Sequence, residues 1–234
     1  MKYSNKTWRA CALCMLAALA MTTGCQNKPA ETADSTNAAT DSVVAESPLD
    51  NAVVRAIMDR RSVRKYKPEP VPKEMLDVIL HCGINAPNAM NEQRWEVRVT
   101  ESKAFIDGVT KVFIESAKDD ERVQKMVGDP DFRNMFRNAP TVIFVAGKAD
   151  EKSSPIDCGL LGENIMLAAQ SMGLGTCCLG SAAGFLNSNP GAANYLKQLA
   201  FSDGYELLYA IAIGYPDESP EAKPRDASKI RYIE

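Results

Sequence analysis

Several things that functions are often built from are scarce in this chain. A single histidine, His81, stands among 234 residues. Metal centres built from several histidines are excluded, and a Ser-His-Asp triad would have to run through that one imidazole. Charge is nearly balanced, with 27 Lys+Arg against 30 Asp+Glu. The basic excess that draws a protein to nucleic acid is therefore missing. No apolar run is long enough to span a bilayer, no segment repeats, and no Gly-x-x-x-x-Gly-Lys-Ser/Thr phosphate loop occurs. What is there, 45% hydrophobic and 24% charged residues, is globular composition sufficient for one large domain or two small ones.

The first residues read as an address. Lys2, Lys6 and Arg9 precede an apolar run from Ala10 to Met21, the size of a signal-peptide core. It ends in Thr22-Thr23-Gly24-Cys25, which resembles a bacterial lipobox with Thr22 where a leucine-like residue is usual. Residues 1–24 are then a lipoprotein signal peptide, and Cys25 is the lipidated N-terminus of an exported, membrane-anchored protein on the periplasmic side or the cell surface. Residues 25–48 are small and polar and cannot bury enough surface to offset their ordering entropy, so they form a flexible tether. The folded body spans 49–234. Cys11 and Cys14 leave with the signal, so their spacing is not a metal or redox motif. Cys82, Cys158, Cys177 and Cys178 remain as small hydrophobes, the last two adjacent and unable to pair without strain.

In the body, Leu49–Asp59 and Val71–Cys82 carry apolar residues at helical spacing, Pro72 suiting the first turn of the second. Residues 102–127 read as one long helix with Phe105, Ile106, Val109, Val112 and Phe113 on its apolar face. Thr141–Ala146 is a continuous apolar run, hence a buried strand, Tyr205–Tyr215 is another buried strand, and Val97–Thr100 and Thr176–Leu179 are shorter strands. Ser154-Pro155-Ile156-Asp157 opens a helix with Ser154 as cap, and that helix, apolar nearly all round as far as Met172, should be central and buried on most sides. The order lacks a regular βαβ rhythm and indicates an α+β fold.

Four clusters have chemistry to offer. Arg60, Arg61, Ser62 and Arg64 put three guanidiniums and a hydroxyl within five residues, suited either to a phosphate or to a solvated helix end. Ala86–Trp95 is a polar turn whose amides match the imide edge of a heterocycle, or simply a turn with its tryptophan in the core. Gly173-Leu174-Gly175-Thr176-Cys177-Cys178-Leu179-Gly180 runs from helix to strand, the reverse of a dinucleotide loop. Gly214-Tyr215-Pro216 is followed by Lys223-Pro224-Arg225.

In this order, the clusters resemble the FMN-dependent nitroreductase family, whose pattern is an Arg-Arg/His-Ser-x-Arg/Lys opening, a Pro-Ser-x-x-Asn-x-Gln-Pro-Trp turn, Gly-Leu-Gly-Thr-Cys, and Gly-Tyr-Pro before Lys-x-Arg. The likeness covers about residues 50–234. It implies a three-layer α/β/α fold around a mixed, mainly antiparallel sheet, in an interlocked homodimer with FMN at the interface. By the same resemblance Arg60, Ser62, Lys223 and Arg225 hold the FMN phosphate, Arg61 belongs to the cofactor site beside them, and Arg64 reaches the pyrimidine edge. Pro87, Asn88, Ala89 and Asn91 meet the partner subunit's flavin. Leu179 and Gly180 lie beside it, with the Gly180 N–H facing flavin N5. No side chain is catalytic in itself. Asn88 stands where the family has serine, and Arg94 where it has proline. The implied reaction is ping-pong transfer of two electrons from NAD(P)H through N5 to nitroaromatics or quinones. An exported protein meets little cytosolic NAD(P)H, so a membrane quinol or a redox protein stands beside it as donor. The alternatives are a flavin-binding electron carrier or scavenger without turnover, and a thiol redox protein using Cys177 and Cys178.

Overall fold

The structure is a computed structural model describing residues 51–233. The expected signal segment, Cys25 and tether, and the expected helix start at Leu49, lie outside the described residues. Among the described residues, seven α-helices and four strands follow in the order α1 Ala52–Asp59, α2 Lys73–Ile84, β1 Trp95–Thr100, α3 Lys103–Ser116, α4 Glu121–Val127, β2 Thr141–Lys148, α5 Ser154–Ser171, β3 Gly175–Leu179, α6 Gly180–Ser188, α7 Ala193–Gln198 and β4 Tyr205–Gly214.

The strands form one sheet in the order β1-β2-β4-β3, and every neighbouring pair is antiparallel. The parallel element is a single bridge between Ser62 and Thr176. β2 and β4 occupy the centre, which is why Val142–Ala146 and Leu207–Ile213 within them are continuous apolar runs: both faces are covered there. Alternation sorts the side chains by face. Val142, Phe144, Ala210, Ala212, Cys177 and Leu179 pack with α3 and α6, whereas Ile143, Val145, Ile211 and Ile213 pack with α2 and α5. The result is helices on both faces of the sheet, an α+β three-layer arrangement.

Local expectations were corrected at three places. Residues 102–127 form two helices, not one. Asp120 accepts from the backbone N–H of Arg122 and Val123 and so caps α4, giving the backbone an alternative to continuing α3. Ser154 does not cap α5; Ser153 stands at that position, and Ser154 Oγ donates instead to the Arg94 carbonyl at 3.0 Å. Nor is α5 buried all round. Ile156 and Leu160 are exposed, because α1 and α2 cover only part of its outer surface. α6 and α7 were not foreseen. α6 forms although it has two glycines and no side-chain cap, because Ala182, Ala183 and Leu186 bury against the sheet.

Candidate functional site at the junction of the chain's two ends

The segment after α1 is fastened to the far end of the chain by backbone hydrogen bonds. Val63 N–H donates to Thr176 O at 2.9 Å, Lys67 N–H to Tyr215 O at 2.9 Å, and Asp217 N–H to Lys65 O at 2.9 Å. Gly175 makes the approach to β3 possible, since a Cβ there would lie 2.8 Å from Val63 Cβ. Tyr66 is buried between the two segments, and its hydroxyl donates to Val63 O at 2.6 Å and lies 3.3 Å from Ala212 O. Burial raises its pKa far above the ordinary phenol value, so it remains a neutral donor. Glu218 accepts from the Arg64 N–H and ties the C-terminal segment down further.

This fastening gathers six of the expected cofactor residues. Arg60, Arg61, Ser62, Arg64, Lys223 and Arg225 line one cavity of about 120 Å³ together with Pro220 and Glu221. That is roughly four water volumes, enough for a phosphate group. Arg64 also lines a larger neighbouring cavity of about 420 Å³, with Tyr66, Met126, Phe132 and Arg137 among its walls.

The cations differ in how far they are committed. Arg61 donates to Met58 O at 2.6 Å and to Arg60 O at 2.8 Å, serving the last carbonyls of α1. Arg64 donates to Ser62 O at 3.0 Å, and Arg225 to Lys223 O at 3.3 Å. Arg60 Nε is buried without a hydrogen-bond acceptor, although Glu163 Oε1 is 3.5 Å away. An orphaned buried guanidinium N–H costs free energy unless an acceptor arrives. A phosphate oxygen is such an acceptor, so this residue set fits the phosphate of FMN.

The other expected residues lie outside both cavities. Leu179 is buried in the sheet core against α3 and α6, which leaves only its main chain for a cofactor. Gly180 begins α6 with no side-chain cap, is exposed, and a Cβ on it would meet nothing within 4 Å. Pro87 and Asn91 are exposed, Asn88 and Ala89 half-buried. Asn88 is used inside its own turn, where Oδ1 accepts from the Gln93 N–H at 2.9 Å. Met90, Asn91 and Gln93 take left-handed conformations with φ 53°, 56° and 50°. Arg94 pairs with Glu92 and, at 2.7 Å, with Glu151, so the cation that replaces the family's proline is neutralised locally.

Cys177 and Cys178 point to opposite faces of the sheet, and both thiols are free. Burial raises both pKa values, and Arg60 lowers that of Cys178 without reversing the shift. Neither thiol has the depressed pKa of a reactive cysteine. Composition gave no sign of Glu163, Glu218 or Glu221, because an acidic residue beside a phosphate site has no motif to announce it.

A family model described as "Nitroreductase family" matches residues 57–215. The NADPH-flavin oxidoreductase of Vibrio harveyi is 30% identical over 185 residues, covering 75% of this chain and 70% of that protein. A nitroreductase with bound FMN from Bacteroides fragilis superposes with a TM-score of 0.69 at 26% identity, over 79% of this chain and 100% of the other. One from Desulfitobacterium hafniense, also with bound FMN, gives 0.70 at 26% identity with the same coverage. A fastened pair of chain ends, a cation-lined cavity between them and these likenesses agree: the chain belongs to the nitroreductase family.

Proposed function

We propose that this protein is an FMN-dependent oxidoreductase that passes two electrons from NAD(P)H, or another reductant, to a small acceptor. The observation that carries the reading is the single cavity lined by Arg60, Ser62, Lys223 and Arg225, drawn from both ends of the chain. The names of related proteins support it. Besides the Vibrio harveyi enzyme, the FMN reductase [NAD(P)H] of Bacillus subtilis is 27% identical over 75% of this chain.

When bound, FMN supplies the hydride chemistry at its N5. The chain's own part is to bind, orient and polarise. Arg60, Ser62, Lys223 and Arg225 grip the phosphate, with Arg60 Nε gaining its missing acceptor. Arg64, which lines both cavities, would set its cation against the flavin ring and favour the reduced, negatively charged form. The Gly180 N–H, at the start of a helix without a side-chain cap, would donate toward N5, and the absence of a side chain leaves room beside it. No acid or base is required of a side chain.

The finer parts of the reading are that two copies interlock, that Pro87–Asn91 meets the partner subunit's flavin, and that Cys25 carries a lipid anchoring the protein outside the cytoplasm. The apolar residues that α1 exposes, Val53, Ile57 and Met58, support the first. Anaerobic titration of the flavoprotein tests the reaction: stoichiometric NADH or NADPH is expected to bleach the flavin, and a quinone or nitroaromatic to restore it. Failure of NADH, NADPH and a quinol alike to bleach it would leave a carrier without turnover.

A further inference from the structure

Asp157 lies in the first turn of α5 and is 5% exposed. A carboxylate withdrawn from water is costly unless hydrogen bonds replace its hydration. At this place its ordinary partner would be one of α5's own first N–H groups, but the N-terminus has no side-chain cap bond. Its partner instead comes from a remote part of the chain. Ala89 N–H donates to both carboxylate oxygens, at 3.2 and 3.3 Å. One turn earlier, Ser154 Oγ holds the Arg94 carbonyl at 3.0 Å. The start of α5 therefore grips both ends of the 89–94 turn.

Between these anchors lie the three left-handed residues Met90, Asn91 and Gln93. Residues other than glycine adopt that conformation at a cost, and it persists only where the surroundings over-determine it. Met90 is 89% exposed, so its own packing does not hold it there. The turn is held from within by Asn88 Oδ1, which accepts from the Gln93 N–H, and from beneath by Asp157, on the longest helix among the described residues.

We propose that Asp157 is a positioning residue, which through the Ala89 N–H holds the Pro87–Asn91 segment in the shape that meets FMN. This rests on the functional reading above, in which that segment contacts the flavin. Asp157 itself touches neither cofactor nor substrate.

The test compares the full chain with Asp157→Ala and Asp157→Asn by two readouts: amide hydrogen exchange across residues 87–93, and FMN affinity with kcat and KM for a quinone acceptor. In Asp157→Ala, faster exchange at Ala89 and FMN binding weakened about tenfold are expected, the loss typical of a hydrogen bond to a charged group. Asp157→Asn keeps one acceptor oxygen and is expected to fall between the two, because neutral acceptors are weaker. Unchanged exchange in Asp157→Ala would overturn the clamp. Faster exchange with unchanged FMN affinity, kcat and KM would overturn the positioning role, since the turn would then serve only itself. If the alanine variant fails to fold, the isosteric asparagine variant decides on the same readouts. A wild-type chain that takes up no FMN would instead refute the functional reading, and the exchange data would still report whether Asp157 holds the turn.

Discussion

Alanine at Arg60 or at Arg225 is expected to weaken FMN binding about 10–100-fold, the loss of one or two charge-assisted hydrogen bonds to phosphate. The double variant should purify colourless. Arg60 carries the stronger prediction, because its buried Nε has no hydrogen-bond acceptor and its ion-pair partner Glu163 stands off at 3.5 Å. Removing it also frees Glu163, now 3.5 Å away, to face the remaining cations of the cavity. Arg61→Ala provides the contrast. Its guanidinium is spent on Met58 O and Arg60 O, so its removal should unsettle the end of α1 more than it weakens cofactor binding. Flavin fluorescence quenching measures the affinities, and thermal melts of the flavin-free proteins separate binding from stability. Full FMN occupancy in Arg60→Ala would remove the phosphate role from that residue.

The second large effect concerns assembly. Val53, Ile57 and Met58 on α1 are 65%, 50% and 66% exposed, and Ile156 on α5 is 67% exposed. α1 buries no residue fully, although its capped, amphipathic sequence has a clear apolar side. Single exposed apolar residues are unremarkable, but a helix that shows its apolar side to water is a surface awaiting a partner. If a second copy covers this face, Ile57→Asp places a carboxylate in an apolar interface. The dimer should then dissociate and FMN should be lost with it, because in the proposed arrangement the partner subunit completes the site. If the face is free, an aspartate on an exposed helix position changes stability by only about 0.5 kcal/mol or less. Sedimentation of the two proteins, with flavin absorbance followed alongside protein absorbance, distinguishes these outcomes. A monomer that retains FMN would contradict the shared site.

Legibility in the sequence followed the physics of each element. β2 and β4 were plain because stretches of strand covered on both faces must be apolar, as Val142–Ala146 and Leu207–Ile213 are. The gathering of Arg60, Ser62, Lys223 and Arg225 was legible only through the order of four motifs. No periodicity relates residues so far apart, and the backbone bonds that join them, Lys67 to Tyr215 and Asp217 to Lys65, leave no trace in side-chain pattern. The break between α3 and α4 was hidden because the apolar spacing runs past it, while the signal that mattered was one carboxylate, Asp120, bonding its own backbone. α6 was hidden for the opposite reason. Its propensity is poor, and burial of Ala182, Ala183 and Leu186 overrides that. Ser154 and Asp157 were visible as a helix start, but only the three-dimensional structure shows that they hold the 89–94 turn instead of capping their own helix. Asn88 likewise looked available for a ligand and is spent on Gln93.

The measurement closest to the centre of this picture is equilibrium titration of the full-length chain with FMN and, separately, with riboflavin, which has the same ring system and no phosphate. If the cavity between the chain's two ends grips the phosphate, FMN should bind and riboflavin should bind about 100-fold more weakly or not at all. Equal affinity for the two flavins, or no affinity for either, would contradict it.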